Sequence, residues 1–205
     1  MFEYLGTVLV SFDPGFDVLR YLTVRTIGGT LTALLISILM GPLIIKFLKS
    51  IQFEQFVRED GPESHLKKSG TPTMGGLLIL FSLTISTLLW ADLGNRYIWV
   101  VLGVTIGFSI IGFLDDFLKI KKKSSDGLTS IQKIISQTII AFISMFYLYY
   151  SAEITPEISF IVPFFKDFII PMSPFIFISF GMFVLIGSSN AVNLTDGLDL
   201  SLIHI

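Results

Sequence analysis

The feature that most constrains this chain is a set of five apolar stretches, each long enough to cross a lipid bilayer. They cover residues 22–45, 72–91, 98–114, 134–150 and 169–189. An α-helix rises about 1.5 Å per residue, so roughly 20 apolar residues cross a hydrocarbon core about 30 Å thick. Because a spanning segment must satisfy its own backbone hydrogen bonds, the sequence predicts an all-α polytopic membrane protein with about five transmembrane helices.

The composition agrees with this class and excludes several others. Of the 205 residues, 52% are hydrophobic and 15% are charged, and the mean hydropathy is +0.78. Soluble domains carry about 25% charged residues. The net charge of −2 indicates no bulk attraction to nucleic acid, and the absence of cysteine excludes disulfides and thiolate metal sites. The first 20 residues lack the basic region of a cleavable signal peptide, so we expect the first span to insert uncleaved.

The basic residues predict the orientation of the spans. Two loops, one between the first and second spans and one between the third and fourth, hold ten of the 14 lysines and arginines. Cytoplasmic loops of membrane proteins carry an excess of these residues. The pattern therefore predicts an outside N-terminus and cytoplasmic lysine-rich loops.

Two connections between spans have their own patterns. Residues 50–66 alternate apolar and polar positions, which is typical of an amphipathic stretch at the membrane surface. Residues 154–171 carry β-branched and aromatic residues around a proline, which predicts a short outer β-hairpin.

Three polar clusters lie at the ends of apolar stretches: residues 67–76, the pair Asp115 and Asp116, and residues 190–199. If all five stretches cross the bilayer, the three clusters emerge on the same, cytoplasmic side. Carboxylates, amides, lysines and glycines collected on one face are typical of an active site rather than an anchor.

The adjacent carboxylates Asp115 and Asp116 permit two interpretations. In the first, they only mark the cytoplasmic end of the third span, where charge costs little. Alternatively, one carboxylate abstracts a proton or attacks, while the other orients it or binds a divalent cation such as Mg²⁺.

The run at 190–199 has four polar residues spaced three apart, namely Asn190, Asn193, Asp196 and Asp199. If the segment is helical, this spacing predicts that they share one face. Gly197 would permit a turn or a close backbone approach. Solvation of an ordinary loop would account for one or two such residues, whereas four in register favour a functional site.

The cluster at 67–76 combines Lys67 and Lys68 with threonines and glycines where the second span begins. Lysines and backbone N–H groups near a helix N-terminus suit an anion such as a diphosphate. The alternative is that the lysines only set topology. The same two interpretations apply to the lysines at 119 and 121–123, which suit either phosphate binding or contact with lipid.

The residues of these motifs resemble those of a known protein family. The chain reads KKSGTPTMGG at 67–76, GFLDDFLK at 112–119 and NAVNLTDGLD at 190–199. These segments are similar to motifs of the phospho-N-acetylmuramoyl-pentapeptide transferases, within the polyprenyl-phosphate N-acetylhexosamine-1-phosphate transferases. The resemblance extends over nearly the whole chain, up to Asp199.

The resemblance implies an activity and a set of roles. Members transfer phospho-MurNAc-pentapeptide from UDP-MurNAc-pentapeptide to undecaprenyl phosphate in the membrane, with Mg²⁺, giving lipid I and UMP in peptidoglycan synthesis. Asp115 and Asp116 would be the catalytic acids and candidate Mg²⁺ ligands. The residues expected to contact the nucleotide and phosphates are Lys68, Thr73, Lys119, Asn190, Asn193, Asp196 and Asp199. The family often forms homodimers.

The sequence also departs from the family pattern. After Asp199 the family continues with glycine, leucine and alanine, whereas this chain has the unrelated residues 200–205. The family has about ten spans, and its main Mg²⁺ ligand and a histidine-rich loop lie in the second half. We therefore interpret residues 1–199 as the N-terminal half of the transferase domain and 200–205 as a foreign tail, and we expect a truncated or frame-shifted chain that is inactive alone.

Two other functions remain open from the residues themselves. A sister enzyme would use a different UDP-sugar, such as UDP-GlcNAc. A non-enzymatic transporter or scaffold would place its polar residues near the bilayer midplane, whereas the acids here lie at the ends of spans.

Overall fold

Helices dominate the part of the chain that the structure, a computed structural model, describes: residues 1–50, 74–122, 127–162, 164–165 and 167–202. The α-helices are α1 (Phe2–Leu9), α2 (Leu22–Ser50), α3 (Gly76–Trp90), α4 (Arg96–Lys122), α5 (Ser130–Tyr150) and α6 (Pro174–Leu202). Two 3₁₀ helices, Pro14–Arg20 and Thr155–Ile158, and two strands, β1 (Ser159–Ile161) and β2 (Ile169–Pro171), complete the elements.

The predicted spans correspond to five of these helices. Within the described ranges, α2, α4, α5 and α6 are long and apolar enough to cross a membrane, and α3 is a shorter apolar helix of 15 residues. The first two residues of the second predicted span lie outside the described residues. The all-α polytopic class is thus confirmed.

The structure changes two of the predicted boundaries. The fifth stretch does not begin as a helix at Ile169, because Ile169–Pro171 pairs antiparallel with Ser159–Ile161, and the helix starts at Pro174. This pair of strands confirms the predicted hairpin. The helix of the third predicted span, α4, does not end at residue 114 but continues through both aspartates to Lys122. The predicted amphipathic stretch lies almost entirely outside the described residues.

The chain divides into two compact units, Met1–Gly127 and Leu128–Ile205. In the first unit, hydroxyl groups join α2 to α3. The Ser37 hydroxyl donates to the Ser82 hydroxyl at 2.9 Å, and the Ser86 hydroxyl donates to the Gly29 carbonyl. Ser82 and Ser86 are buried. Small residues let membrane helices approach closely, and hydroxyls then bond across the interface.

Trp90 closes one end of this helix pair. Its indole Nε1 donates to the Thr32 hydroxyl at 2.9 Å, and its ring lies 4.5 Å from the Phe2 ring, centroid to centroid. A β-carbon added to Gly28 would lie 2.5–2.7 Å from three carbons of the indole. Gly28 is therefore required for the close approach of the Trp90 ring to α2.

The second unit consists of α5, the hairpin and α6. Thr129 caps α5: its hydroxyl accepts from the Gln132 amide, and the Gln132 side chain accepts from the Thr129 amide. This capping box fixes where α5 begins. At the other end of α5, the Tyr149 ring lies 5.6 Å from the Phe177 ring of α6. These contacts fix where α5 begins and join its other end to the start of α6.

Candidate active site

The two aspartates of α4 converge on one ammonium group. Lys119 Nζ lies 2.8 Å from Asp115 Oδ2 and 3.1 Å from Asp116 Oδ1. On an α-helix, residues three and four apart are neighbours, so one lysine at position 119 reaches both carboxylates. The spacing in the sequence is therefore sufficient to build this cluster without help from another helix.

The two carboxylates differ in their access to solvent. The Asp115 side chain is 10% exposed, whereas those of Asp116 and Lys119 are 38% and 36% exposed. Burying a carboxylate is costly unless it is paired and hydrogen-bonded, and Lys119 supplies the opposite charge. Asp116 is thus the member of the pair that a ligand reaches more readily.

Gly127 lies against Asp115, which sequence reasoning missed. A β-carbon built on Gly127 would overlap the Asp115 carboxylate and would come within 2.8 Å of the Asp115 carbonyl oxygen. Because one of these contacts is with backbone, no side-chain rotation would relieve it. The signal in the sequence is weak, since a glycine after a lysine-rich segment is ordinary.

In the second unit, the Asn190 side chain of α6 is held by two acceptors. Its Nδ2 donates to Gln137 Oε1 of α5 at 2.8 Å and to the Ile186 carbonyl at 2.8 Å. Gln137 is buried and Asn190 is exposed. Sequence reasoning missed Gln137, because the two residues are 53 positions apart.

Residues 190–199 are helical, as one interpretation required, because they lie within α6. The expectation that the four polar positions share one face is nevertheless wrong for the whole set. An α-helix has 3.6 residues per turn, so each three-residue step falls about 60° short of a full turn. Successive members are neighbours, but positions 190 and 199 lie about 180° apart around the axis. The helix also runs through Gly197, which makes no turn there.

The remaining predicted site residues are described only in part. Asn193 is exposed on α6. For Asp196 and Asp199 the structure describes the helical backbone only. Lys68 and Thr73 lie outside the described residues.

The segment at 67–76 enters the described part of the chain at Met74. This buried residue has a positive φ of 68°, and its carbonyl accepts from the Leu77 amide at 3.1 Å as α3 begins. The left-handed conformation costs a residue with a β-carbon roughly 1–2 kcal/mol. Such backbone strain concentrates at functional sites. The turn before α3 is therefore a candidate part of the site, as are the lysines that precede it.

Metal-binding capacity was expected at the aspartate pair. Among the residues described, no group of three or more histidine, aspartate or glutamate side chains is placed to hold a metal ion. Two carboxylates are present, and Mg²⁺ in phosphate-handling sites is commonly bound through one or two carboxylates together with substrate phosphates.

Comparison with known families covers both units. The profile of glycosyl transferase family 4 matches residues 98–202, just over half of the chain, and this match includes Asp115, Asp116 and Asn190. Signature 1 of the phospho-N-acetylmuramoyl-pentapeptide transferases matches residues 68–80, the segment that contains Met74. The chain therefore belongs to glycosyl transferase family 4 and is, by family, a membrane phospho-sugar transferase of peptidoglycan synthesis.

Proposed function

We propose that the protein transfers phospho-MurNAc-pentapeptide from UDP-MurNAc-pentapeptide to undecaprenyl phosphate, giving lipid I and UMP. An oxygen of the lipid phosphate attacks the phosphorus next to the sugar, forming a new P–O bond. The P–O bond to UMP breaks, and its electron pair leaves with UMP. The observation that carries this proposal is the match to transferase signature 1 together with a paired-carboxylate cluster on α4.

Within this reaction we assign different roles to the two aspartates. Asp116 is the base that removes the proton from the lipid phosphate, because its carboxylate is the more exposed of the two. Asp115 is buried between Lys119 and Gly127, and it holds the Lys119 ammonium in place. A general base must reach the proton that it removes, which favours Asp116. The alternative scheme, in which an aspartate attacks as a nucleophile, uses the same more accessible group.

Mg²⁺ would be held by Asp115 and Asp116 together with phosphate oxygens of the substrate. Carboxylate oxygens and substrate phosphates are the ligands that Mg²⁺ prefers. Because two cations repel, Mg²⁺ at this pair would require the Lys119 ammonium to turn towards a phosphate of the substrate. When bound, Mg²⁺ neutralises charge that develops on the diphosphate. The Lys119 side chain would contact a phosphate of the substrate and share this task.

The donor would be bound by the polar groups of the other motifs. We propose that Asn190, Asn193, Asp196 and Asp199 contact the nucleotide and phosphates from α6, and that Lys68 and Thr73 contact phosphate near the start of α3. The drift of this run around α6 means that these residues contact different parts of the donor rather than one line of atoms.

We further propose that the protein lies in the bacterial inner membrane with its N-terminus outside and this chemistry in the cytoplasm. The support is the lysine-rich sequence around 119–123, part of which forms the end of α4. The soluble donor is cytoplasmic by its chemistry, since a charged nucleotide does not cross a bilayer.

The test uses the protein encoded by the complete reading frame that contains this sequence. We expect Asp116→Asn to abolish UMP release from UDP-MurNAc-pentapeptide and undecaprenyl phosphate, while membrane insertion is retained. Removal of a general base typically costs about 10²–10⁴-fold in rate. Asp92→Asn is a matched control, because in the described part of the chain the Asp92 carboxylate accepts from the Gly94 amide in a turn.

Two further measurements test the substrate and the metal, and one outcome would contradict the role of Asp116. Turnover with UDP-GlcNAc but not with UDP-MurNAc-pentapeptide would replace the proposed substrate with another UDP-sugar. A chelator should stop turnover, and added Mg²⁺ should restore it. Unchanged turnover in Asp116→Asn would remove Asp116 from the mechanism.

A further inference from the structure

The contact between Gln137 and Asn190 determines which atom Asn190 offers to a ligand. The Asn190 side-chain nitrogen lies 2.8 Å from the Ile186 carbonyl oxygen, which can only accept a hydrogen bond. The amide must therefore place Nδ2, not Oδ1, at this position. With Oδ1 at this position, two acceptor oxygens would face each other without a hydrogen between them.

The same argument fixes the orientation of Gln137. Once Nδ2 of Asn190 is assigned, the Gln137 atom at 2.8 Å must be an acceptor, which is Oε1. The two hydrogens of Nδ2 are then both used, one by Ile186 and one by Gln137. A primary amide has two donor hydrogens and one acceptor oxygen, so Asn190 is left with the lone pairs of Oδ1 to bind a ligand.

We infer that Gln137 is a positioning residue that makes Asn190 an acceptor-only contact for the donor substrate. This inference rests on the proposed function, in which Asn190 contacts the UDP-linked donor. The group recognised by Oδ1 is then a hydroxyl or N–H of the nucleotide-sugar, or a cation, and not an oxygen of the donor's ionised diphosphate, which has no hydrogen to give.

The burial of Gln137 supports a role beyond packing. Gln137 is 7% exposed on a helix whose sequence is otherwise mainly apolar, and it is one of the few buried polar residues among those described. Burying an amide costs free energy unless its polar atoms are paired. A methionine would fill a similar volume without this cost, whereas only a residue with an acceptor oxygen takes the second hydrogen of Asn190 Nδ2 and holds the amide from the neighbouring helix.

The test compares Gln137→Met with Gln137→Glu in the product of the complete reading frame. Glutamate keeps the length and an acceptor oxygen in either protonation state, whereas methionine keeps the length and loses the strong acceptor. We expect Gln137→Met to raise the KM for UDP-MurNAc-pentapeptide about 5- to 10-fold with kcat nearly unchanged, as for loss of one hydrogen bond. Gln137→Glu should stay within about twofold of the wild type.

A double-mutant cycle with Asn190→Ala separates positioning from a general structural role. Without the Asn190 amide, Gln137→Met has nothing left to disorient, so we expect no further change in KM beyond the experimental error. Binding should be measured in parallel with UMP, whose uracil and ribose carry N–H and hydroxyl donors, and with inorganic pyrophosphate, which lacks them. Gln137→Met should weaken binding of UMP and leave binding of pyrophosphate unchanged.

Each other outcome overturns a stated part of the argument. If Asn190→Ala lowers turnover but Gln137→Met does not, the positioning role is wrong and the proposed function stands. If Gln137→Met raises KM equally with and without the Asn190 amide, Gln137 acts only on packing. If Asn190→Ala leaves turnover unchanged, the role of Asn190 in the proposed function fails, and the inference fails with it.

Discussion

Two helix pairs of this protein use polar contacts in different ways. Between α2 and α3, hydroxyls are spread along the interface and bond to one another or to backbone carbonyls, as with Ser37 to Ser82. Between α5 and α6, one amide pair, Gln137 and Asn190, lies in the segment that the family profile covers, and Asn190 remains exposed. The bonded hydroxyls Ser82 and Ser86 of the first pair are buried, whereas Asn190 of the second pair is exposed, and neither of its two side-chain hydrogen bonds uses the amide oxygen. A polar residue between membrane helices is therefore evidence of a site only when a ligand can reach one of its polar atoms.

The largest expected effect separates the two pairs by their role in turnover. Asn190→Ala should lower kcat/KM by about 30- to 150-fold, since a lost hydrogen bond to a charged or strongly polar ligand costs about 2–3 kcal/mol. Ser82→Ala, its counterpart between α2 and α3, should leave kcat/KM within about twofold. Steady-state UMP release by both variants checks this. A similar loss in both would mean that the two helix pairs do not differ in function.

The next effect tests how tightly the first pair is packed. Gly28→Ala should destabilise the protein by about 1–2 kcal/mol, because the new methyl group meets the rigid Trp90 indole. The adjacent Gly29→Ala is the matched control: its β-carbon would lie 3.5 Å from the Ser86 hydroxyl, an ordinary contact, and alanine favours the helix by up to about 1 kcal/mol. The measurement is the temperature at which each variant loses its monodisperse peak in detergent.

Gly181 allows the same substitution to be made in the second pair. A β-carbon there would meet the Met145 side chain, which is flexible and can move aside. We therefore expect Gly181→Ala to cost less than Gly28→Ala in the same thermal assay. An equal or larger loss for Gly181→Ala would show that the second pair is packed as rigidly as the first.

The smallest effect concerns a single hydroxyl contact. Ser37→Ala removes the donor to Ser82, yet the Ser82 hydroxyl still donates to the Leu78 carbonyl of its own helix. Hydrogen bonds between membrane helices average about 0.6 kcal/mol in double-mutant cycles. The Ser37→Ala and Ser82→Ala cycle should give a coupling of this size, with no change in UMP release. A coupling several times larger would make this contact a main determinant of the fold.

The sequence predicts features that depend on local spacing. The lengths of the apolar stretches predict the helices. The spacing of Asp115, Asp116 and Lys119 on one helix is sufficient to predict their ion pairs. The sequence also predicts the hairpin, although apolar continuity through Ile169 hides where the strand ends and α6 begins. A continuous apolar run looks the same in a strand and in a helix.

Features that depend on two distant segments were not predictable in the same way. Gln137 contacts Asn190 only because α5 packs against α6. Gly127 contacts Asp115 only because the chain comes back to that residue after α4. The drift of the 190–199 run around α6 follows from helix geometry alone. It was therefore predictable from the sequence, because residues that repeat every three positions do not stay on one face of an α-helix.

The position of Trp90 gives the protein an internal spectroscopic reporter. The sequence has two tryptophans, and both, Trp90 and Trp99, lie in the first compact unit. Trp90 is enclosed by Phe2 and Gly28 and bonded to Thr32, whereas Trp99 is 52% exposed. Indole fluorescence from Trp90 therefore follows separation of α2 from α3. Trp99→Phe would leave Trp90 as the single indole, and a red shift of its emission would mark the separation of this helix pair.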